Sequence, residues 1–161
     1  PTIARVNGYA YGGGFGLMLA CDLVVAAAGV KMGTPEIKRG LFPMMIMPVI
    51  FRNISRKAGL ELILTGDRIN SERALELGLI NQVVPAEELD AAVDELTGKL
   101  TTKSAAVLRL GREAFYEMSD MTVEQAFSYL KSMLTMNTML EDAAEGIQAF
   151  FEKREPEWKH R

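Results

Sequence analysis

The stretch NGYAYGGGFGLMLACDLVVAA, residues 7–27, contains five glycines and a single charged side chain, Asp22. A short apolar run at residues 3–6 precedes it, and the apolar run at residues 23–27 closes it. Two apolar runs separated by a glycine-rich turn and a short apolar helix are typical of a strand–turn–helix–strand unit. We therefore predict that the chain begins with an α/β layer.

The glycine spacing excludes two common phosphate-binding patterns. No G-x-G-x-x-G can be drawn through the glycines of residues 8–16, and no Lys-Ser or Lys-Thr follows them as a P-loop requires. Glycines at a helix N-terminus still bring bare backbone N–H groups close to a ligand and favour negative charge there. The cluster at residues 12–14 thus predicts an oxyanion-binding turn. The alternative is a tight turn that only permits close strand–helix packing.

A second segment with chemical potential is MGTPEIKRGLFP, residues 32–43. Glu36 follows a Thr-Pro turn and precedes an apolar run. A poorly solvated carboxylate in such a place is suited to act as a general acid or base. The alternative is a solvated glutamate in a first helical turn, where the helix dipole favours negative charge.

Composition excludes several classes of protein. The 161 residues carry 18 Lys and Arg against 21 Asp and Glu, a net charge of -3 that indicates no nucleic-acid or anionic-membrane partner. The single cysteine, Cys21, excludes an internal disulfide, and the longest strongly apolar run, residues 41–51, is too short to span a bilayer. No signal-peptide pattern is present. We expect a cytoplasmic location, or the mitochondrial matrix in a eukaryote.

Helix signals dominate the rest of the chain. Ser71 is placed to cap one helix, and Thr122 with Gln125 forms the capping-box pattern of another. One apolar helical face is formed by Leu89, Val93, Leu96 and Leu100. We therefore divide the chain into an α/β part, residues 1–85, and a helical part, residues 86–161.

The two segments together resemble one family. The pattern N-G-x-A-x-G-G-G-x-x-L-x-x-x-C-D, followed by M-G-x-P-E, resembles the enoyl-CoA hydratase/isomerase (crotonase) superfamily, and the likeness continues through residues 64–85 and 145–158. The resemblance implies the C-terminal part of a spiral of ββα turns, then a helical trimerisation region. It also implies a homo-trimer or hexamer, and further family sequence upstream of Pro1.

The resemblance assigns roles to several of these residues. Gly13 resembles the glycine whose backbone N–H forms half of an oxyanion hole for an acyl-CoA thioester carbonyl, with Gly12, Gly14 and Gly16 in the same substrate-binding turn. Glu36 resembles a glutamate that transfers protons. No metal and no separate cofactor is implied, because CoA enters as part of the substrate. The other oxyanion donor is expected upstream, so an isolated 161-residue product is expected to be inactive.

One departure from the family pattern bears on the reaction. Gly16 stands where hydratases of the family carry a second glutamate. Two carboxylates hold and activate a water molecule, whereas one suits moving a proton between carbons. Double-bond isomerisation therefore stands beside hydration as the expected reaction. The alternative is a catalytically silent relative that binds acyl-CoA or serves as an oligomer subunit.

Two further regions are candidates for substrate binding. Pro43 and Met44 belong to PMMIM, residues 43–47, where many family members have a glycine-rich stretch; flexible methionines there predict an acyl pocket, or alternatively ordinary core. Phe150 and Lys153 resemble positions where the family's C-terminal helix approaches CoA. Lys153 is expected to meet a phosphate, or alternatively to be solvated in a charged run.

Overall fold

The apolar runs on either side of the glycine-rich stretch form neighbouring parallel strands, in a computed structural model that describes residues 1–161. Strand β1 is Ile3–Val6 and strand β3 is Leu23–Ala27. Between them lie the short strand β2, Ala10–Tyr11, and helix α1, Gly13–Ala20. The predicted strand–turn–helix–strand unit is confirmed.

Two three-stranded sheets are built on this unit. Strand β4, Lys31–Gly33, lies between β2 and the antiparallel strand β5, Arg68–Asn70. Strand β6, Gln82–Val84, pairs in parallel with β3. The β2–β4 register places Tyr11 opposite Gly33, and the Gly12 N–H continues it by donating to the Gly33 carbonyl at 3.0 Å. The glycine turn is thereby fixed beside the segment that carries Glu36.

Helices lie between the later strands and after β6. They are a 3-10 helix at Pro35–Arg39, α2 at Met47–Asn53, α3 at Arg56–Thr65, α4 at Ser71–Glu76, a second 3-10 helix at Ala86–Glu88, and α5 at Leu89–Thr101. The prediction that Ser71 caps α4 was wrong by one residue. Asn70 has the extended backbone of a cap, and its side chain accepts from the Arg73 N–H at 2.9 Å.

Residues Thr2–Leu96 and Thr97–Arg161 form two compact units. In the first unit the core includes Phe15 of α1, Val25 of β3 and Met32 of β4, none of which is exposed. The division lies later than the boundary of residues 1–85 and 86–161 drawn from the sequence. The reason is that α5 begins with Leu89, which is buried in this core, so its apolar face belongs to the first unit up to Leu96.

The second unit consists mainly of three packed helices. They are α6 at Ala105–Met118, α7 at Val123–Thr138 and α8 at Glu141–Glu152. The capping box predicted for α7 is confirmed, because the Thr122 hydroxyl accepts from the Gln125 N–H and the Gln125 side chain accepts from the Thr122 N–H. No helix of the structure has the length and apolar character needed to cross a bilayer.

The last eight residues, 154–161, form a C-terminal tail that is held on these helices. Asp142, only 1% exposed at the start of α8, accepts from the backbone N–H groups of Lys159 at 2.6 Å and His160 at 2.9 Å, and from the Ser104 hydroxyl. The Trp158 indole N–H donates to the Thr102 carbonyl at 2.8 Å. A buried carboxylate thus fixes the end of the chain.

Candidate functional site

The glycine turn and Glu36 are in direct contact. Gly12, the N-cap of α1, has φ 56, and a Cβ added there would lie 2.8 Å from Oε1 of Glu36. Both the left-handed backbone and this close approach require glycine. On the other side, Pro35 occupies the first position of the 3-10 helix, and Glu36 follows it in the first turn. The two motifs recognised in the sequence therefore meet at one place.

One oxygen of the Glu36 carboxylate, Oε2, is buried without a hydrogen-bond partner. The Tyr11 hydroxyl oxygen is the other buried side-chain N or O atom without a hydrogen-bond partner. A buried oxygen without a donor costs free energy, and such groups persist where function requires them. This geometry argues against the alternative of a fully solvated glutamate. It leaves a carboxylate oxygen able to accept a proton or a hydrogen bond.

Gly13 and Gly14 form the bare start of α1. Both are exposed, neither has a positive φ, and no heavy atom from elsewhere lies within 4 Å of the position that a Cβ would take. The first N–H groups of a helix lack intrahelical partners, and Gly12 supplies no side-chain cap. Packing within this chain accounts for glycine at residue 12 but not at residues 13 and 14. These N–H groups are free to approach a ligand.

Gly16 is a glycine for a steric reason. A Cβ there would overlap the Cγ2 methyl of Ile46 and lie 2.8 Å from Cβ of Ile46. Gly16 also donates its N–H to the Gly12 carbonyl at 3.0 Å, so the two glycines are one helical turn apart. An apolar side chain therefore occupies the space beside Gly16. Sequence reasoning missed Ile46, although the unusual PMMIM stretch contains it.

The other substrate-binding candidates of the first unit lie in the turn before α2. Pro43 is buried, whereas Met44 is 63% exposed and Met45 is 89% exposed. Of the three methionines, only Met47 packs on the core. Met44 and Met45 therefore do not pack in the core of this chain. Contact of Pro43 or Met44 with an acyl chain stays a prediction.

Phe150 and Lys153 belong to the helical unit. Phe150 is 78% exposed near the end of α8, and Lys153 is the exposed C-cap of that helix with φ 54. Their expected approach to CoA stays a prediction. In the first unit, the structure brings together Gly12, Gly16, Glu36 and Ile46, with Gly13 and Gly14 next to them along the chain.

Comparison with known proteins identifies the family of this chain. The family model described as "Enoyl-CoA hydratase/isomerase" matches residues 1–161. The chain is 36% identical to the mitochondrial enoyl-CoA hydratase domain-containing protein 3 of Mus musculus, over 99% of this chain and 53% of that protein. It is 37% identical to a carnitinyl-CoA dehydratase of Salmonella heidelberg, over 100% of this chain and 64% of that protein. The chain thus spans little more than half to about two thirds of the length of these relatives.

Solved structures show the same fold. An enoyl-CoA hydratase of Mycobacterium smegmatis superposes with a TM-score of 0.96 at 35% identity, covering 98% of this chain and 62% of that one. The human enoyl-CoA hydratase domain-containing protein 3 superposes with a TM-score of 0.94 at 35% identity, again covering 98% of this chain and 62% of that one. The fold is the crotonase-like α/β fold with a C-terminal helical region. The family match over the whole chain and these superpositions show that the chain belongs to the enoyl-CoA hydratase/isomerase family.

Proposed function

We propose that this chain carries the acid–base half of an enzyme that acts on acyl-CoA thioesters. Glu36 is its single proton-transferring carboxylate, and the Gly13 N–H donates to the thioester oxygen. The observation that carries the proposal is that Oε2 of Glu36 is buried and has no hydrogen-bond partner. The Glu36 carboxylate also lies against Gly12, at the start of α1. A proton acceptor and bare N–H donors then belong to one turn and the segment beside it.

The chemistry follows from where negative charge develops. Removing a proton from the carbon next to a thioester, or adding to its double bond, moves an electron pair onto the carbonyl oxygen. Backbone N–H groups that already point at this oxygen stabilise the enolate, and losing one such donor costs about 3 kcal/mol. The positive end of α1 adds to the effect. We propose that a second donor comes from the part of the natural protein that precedes this chain.

The substrate class is proposed from the family and the reaction from the site. CoA enters as part of the thioester, so no separate cofactor and no metal is proposed. One carboxylate is compatible with enoyl-CoA hydration and with double-bond isomerisation, and we propose a reaction of this pair. The Mus musculus relative is called mitochondrial, which supports the mitochondrial matrix as the location in a eukaryote.

The proposal is tested with the natural protein that contains this chain, assayed against 2-enoyl-, 3-enoyl- and 3-hydroxyacyl-CoA thioesters. We expect turnover of at least one class, and a ligand-bound structure with the thioester oxygen in hydrogen-bonding distance of the Gly13 N–H. A folded protein that binds the thioesters and turns over none would contradict the proposal. It would support the alternative of a catalytically silent acyl-CoA-binding relative.

A further inference from the structure

Two gaps on α1 are filled by side chains of opposite chemistry. The missing side chain of Gly12 leaves room for the Glu36 carboxylate, and the missing side chain of Gly16 leaves room for Ile46. The hydrogen bond from the Gly16 N–H to the Gly12 carbonyl places these gaps in successive turns of the helix. A carboxylate and a branched hydrocarbon are therefore set against adjacent parts of the same element.

Ile46 is held firmly in this position. It is the N-cap residue of α2, half-buried, and it packs against the core of the first unit. Its carbonyl accepts from the Ile50 N–H at 3.0 Å, which ties its backbone to the first turn of α2. Isoleucine has few rotamers and no hydrogen-bonding group. The space beside Gly16 is consequently occupied by a hydrocarbon side chain, which leaves no room for a second acid–base side chain and offers a water molecule no hydrogen bond.

We propose that Ile46 determines the reaction of this site, by keeping a second polar group and a positioned water away from Glu36 so that proton movement between carbons outcompetes water addition. The inference rests on the proposed function, since it concerns the proton that Glu36 is proposed to transfer. Ile46 lies in neither of the two sequence motifs, residues 7–27 and 32–43.

The favoured reaction is balanced without water. Glu36 takes a proton from C2 of a 3-enoyl-CoA, and the C2–H electron pair becomes the C1–C2 double bond of a dienolate while the carbonyl electrons move to oxygen. When the carbonyl reforms, the C1–C2 pair becomes the C2–C3 double bond, and the former C3–C4 pair takes the proton from Glu36 at C4. One C–H bond breaks, one forms, and Glu36 returns to a carboxylate. Hydration instead needs a water oxygen held beside the double bond.

The first arm of the test measures the contact without any substrate. Gly16→Ala is expected to lower the melting temperature of the natural protein by roughly 3–10 °C, because the new Cβ overlaps Ile46. The double variant Gly16→Ala/Ile46→Ala is compared with Ile46→Ala alone. In that background, Gly16→Ala is expected to leave the melting temperature unchanged, because Ile46 no longer occupies the space. Equal penalties in the two backgrounds would show that Ile46 does not fill this space and would overturn the inference.

The second arm measures the partition of the reaction. Ile46→Ala is expected to raise hydration of a 2-enoyl-CoA relative to isomerisation of a 3-enoyl-CoA by at least about tenfold, the value of one hydrogen bond from water to a charged group. Val49→Ala, a truncation at another half-buried core position of α2, is the control and should leave the ratio unchanged.

The outcomes separate the two proposals. An active protein whose ratio is the same with isoleucine or alanine at residue 46 would overturn the role of Ile46 and leave the proposed function standing. If Val49→Ala changes the ratio of hydration to isomerisation as much as Ile46→Ala does, the effect is due to loosened packing. That result would also overturn the role of Ile46. If the unaltered protein turns over no thioester, the proposed function fails and this inference fails with it.

Discussion

At the scale of single residues, the glycines of this chain are not equivalent. Gly12 has a left-handed backbone and touches Glu36, Gly16 makes room for Ile46, and Gly13 and Gly14 face open space. The sequence showed the cluster and its position before a helix. It could not show which glycine serves which purpose, because the neighbours that decide this come from residues 36 and 46, outside the cluster.

Gly12→Ala is the substitution that tests the turn. The added Cβ would be strained at φ 56 and would meet Oε1 of Glu36 at 2.8 Å. We expect a loss of about 1–3 kcal/mol in the free energy of unfolding, together with displacement of Glu36 and a fall in turnover. Chemical denaturation of the natural protein measures the stability change, and the acyl-CoA assay measures the turnover.

Gly98→Ala is the matched control for that substitution. Gly98 lies exposed within α5, and no heavy atom is found within 4 Å of its added Cβ. Alanine is the better helix former, so stability should rise by about 0.5–1 kcal/mol with turnover unchanged. A Gly12→Ala protein as stable and active as Gly98→Ala would refute this account of the turn.

At the scale of elements, local signals were recognised in the sequence and distant ones were not. The capping box of Thr122 and Gln125 spans three residues, so the pattern alone identified it. The Asp142 carboxylate accepts hydrogen bonds from Ser104, Lys159 and His160, which are 38, 17 and 18 residues away from it. No periodic or motif pattern connects such positions, and only the packing of α6 and α8 brings them together.

The C-terminal tail should be released by acid. The pKa of Glu145 is lowered from 4.5 to about 2. The largest cause is hydrogen bonding from the Arg154 guanidinium at 2.6 and 3.0 Å, and the second is the hydrogen bond from the Glu157 N–H. Because the folded-state pKa is the lower one, the stabilisation is complete above pH 4.5 and is lost as the pH falls towards 2. We expect the helical unit to weaken across this range.

Trp158 reports this release, since it is the only tryptophan among residues 1–161 and its indole N–H donates to the Thr102 carbonyl. Its fluorescence should shift to the red as the pH falls below 4.5. In Glu145→Gln the tail should be looser at neutral pH, and the acid transition should be less steep. A pH-independent emission spectrum down to pH 2, or an identical transition in Glu145→Gln, would rule out this role for Glu145.

At the scale of the whole molecule, the helical unit exposes several large apolar side chains. Phe115, Phe127, Leu134, Met139, Phe150 and Phe151 are each more than half exposed. Large exposed apolar patches mark protein–protein interfaces. The resemblance to the family predicts a trimer or hexamer, in which such a surface would be an interface. Composition and periodicity alone do not predict it, because in a sequence an exposed phenylalanine cannot be distinguished from a core residue.

We expect the natural protein to form a closed, symmetric oligomer through this surface. Phe127→Ser should weaken the assembly and leave the fold intact, because Phe127 is 72% exposed. Multi-angle light scattering gives the mass of the assembly, and circular dichroism checks the fold. A stable monomer of the unaltered protein at micromolar concentration would contradict the expectation.

Glu36 is proposed to transfer the proton, and the turnover of Glu36→Gln tests this role. Glutamine keeps the size of the side chain but removes the proton-accepting charge. Turnover of each accepted thioester should fall by about 100-fold to 10,000-fold with little change in binding, the usual loss for a general base. Glu61→Gln, which changes an exposed glutamate on α3, is the control and should leave turnover unchanged. A folded Glu36→Gln protein that binds the thioesters and turns them over at the rate of Glu61→Gln would contradict the claim.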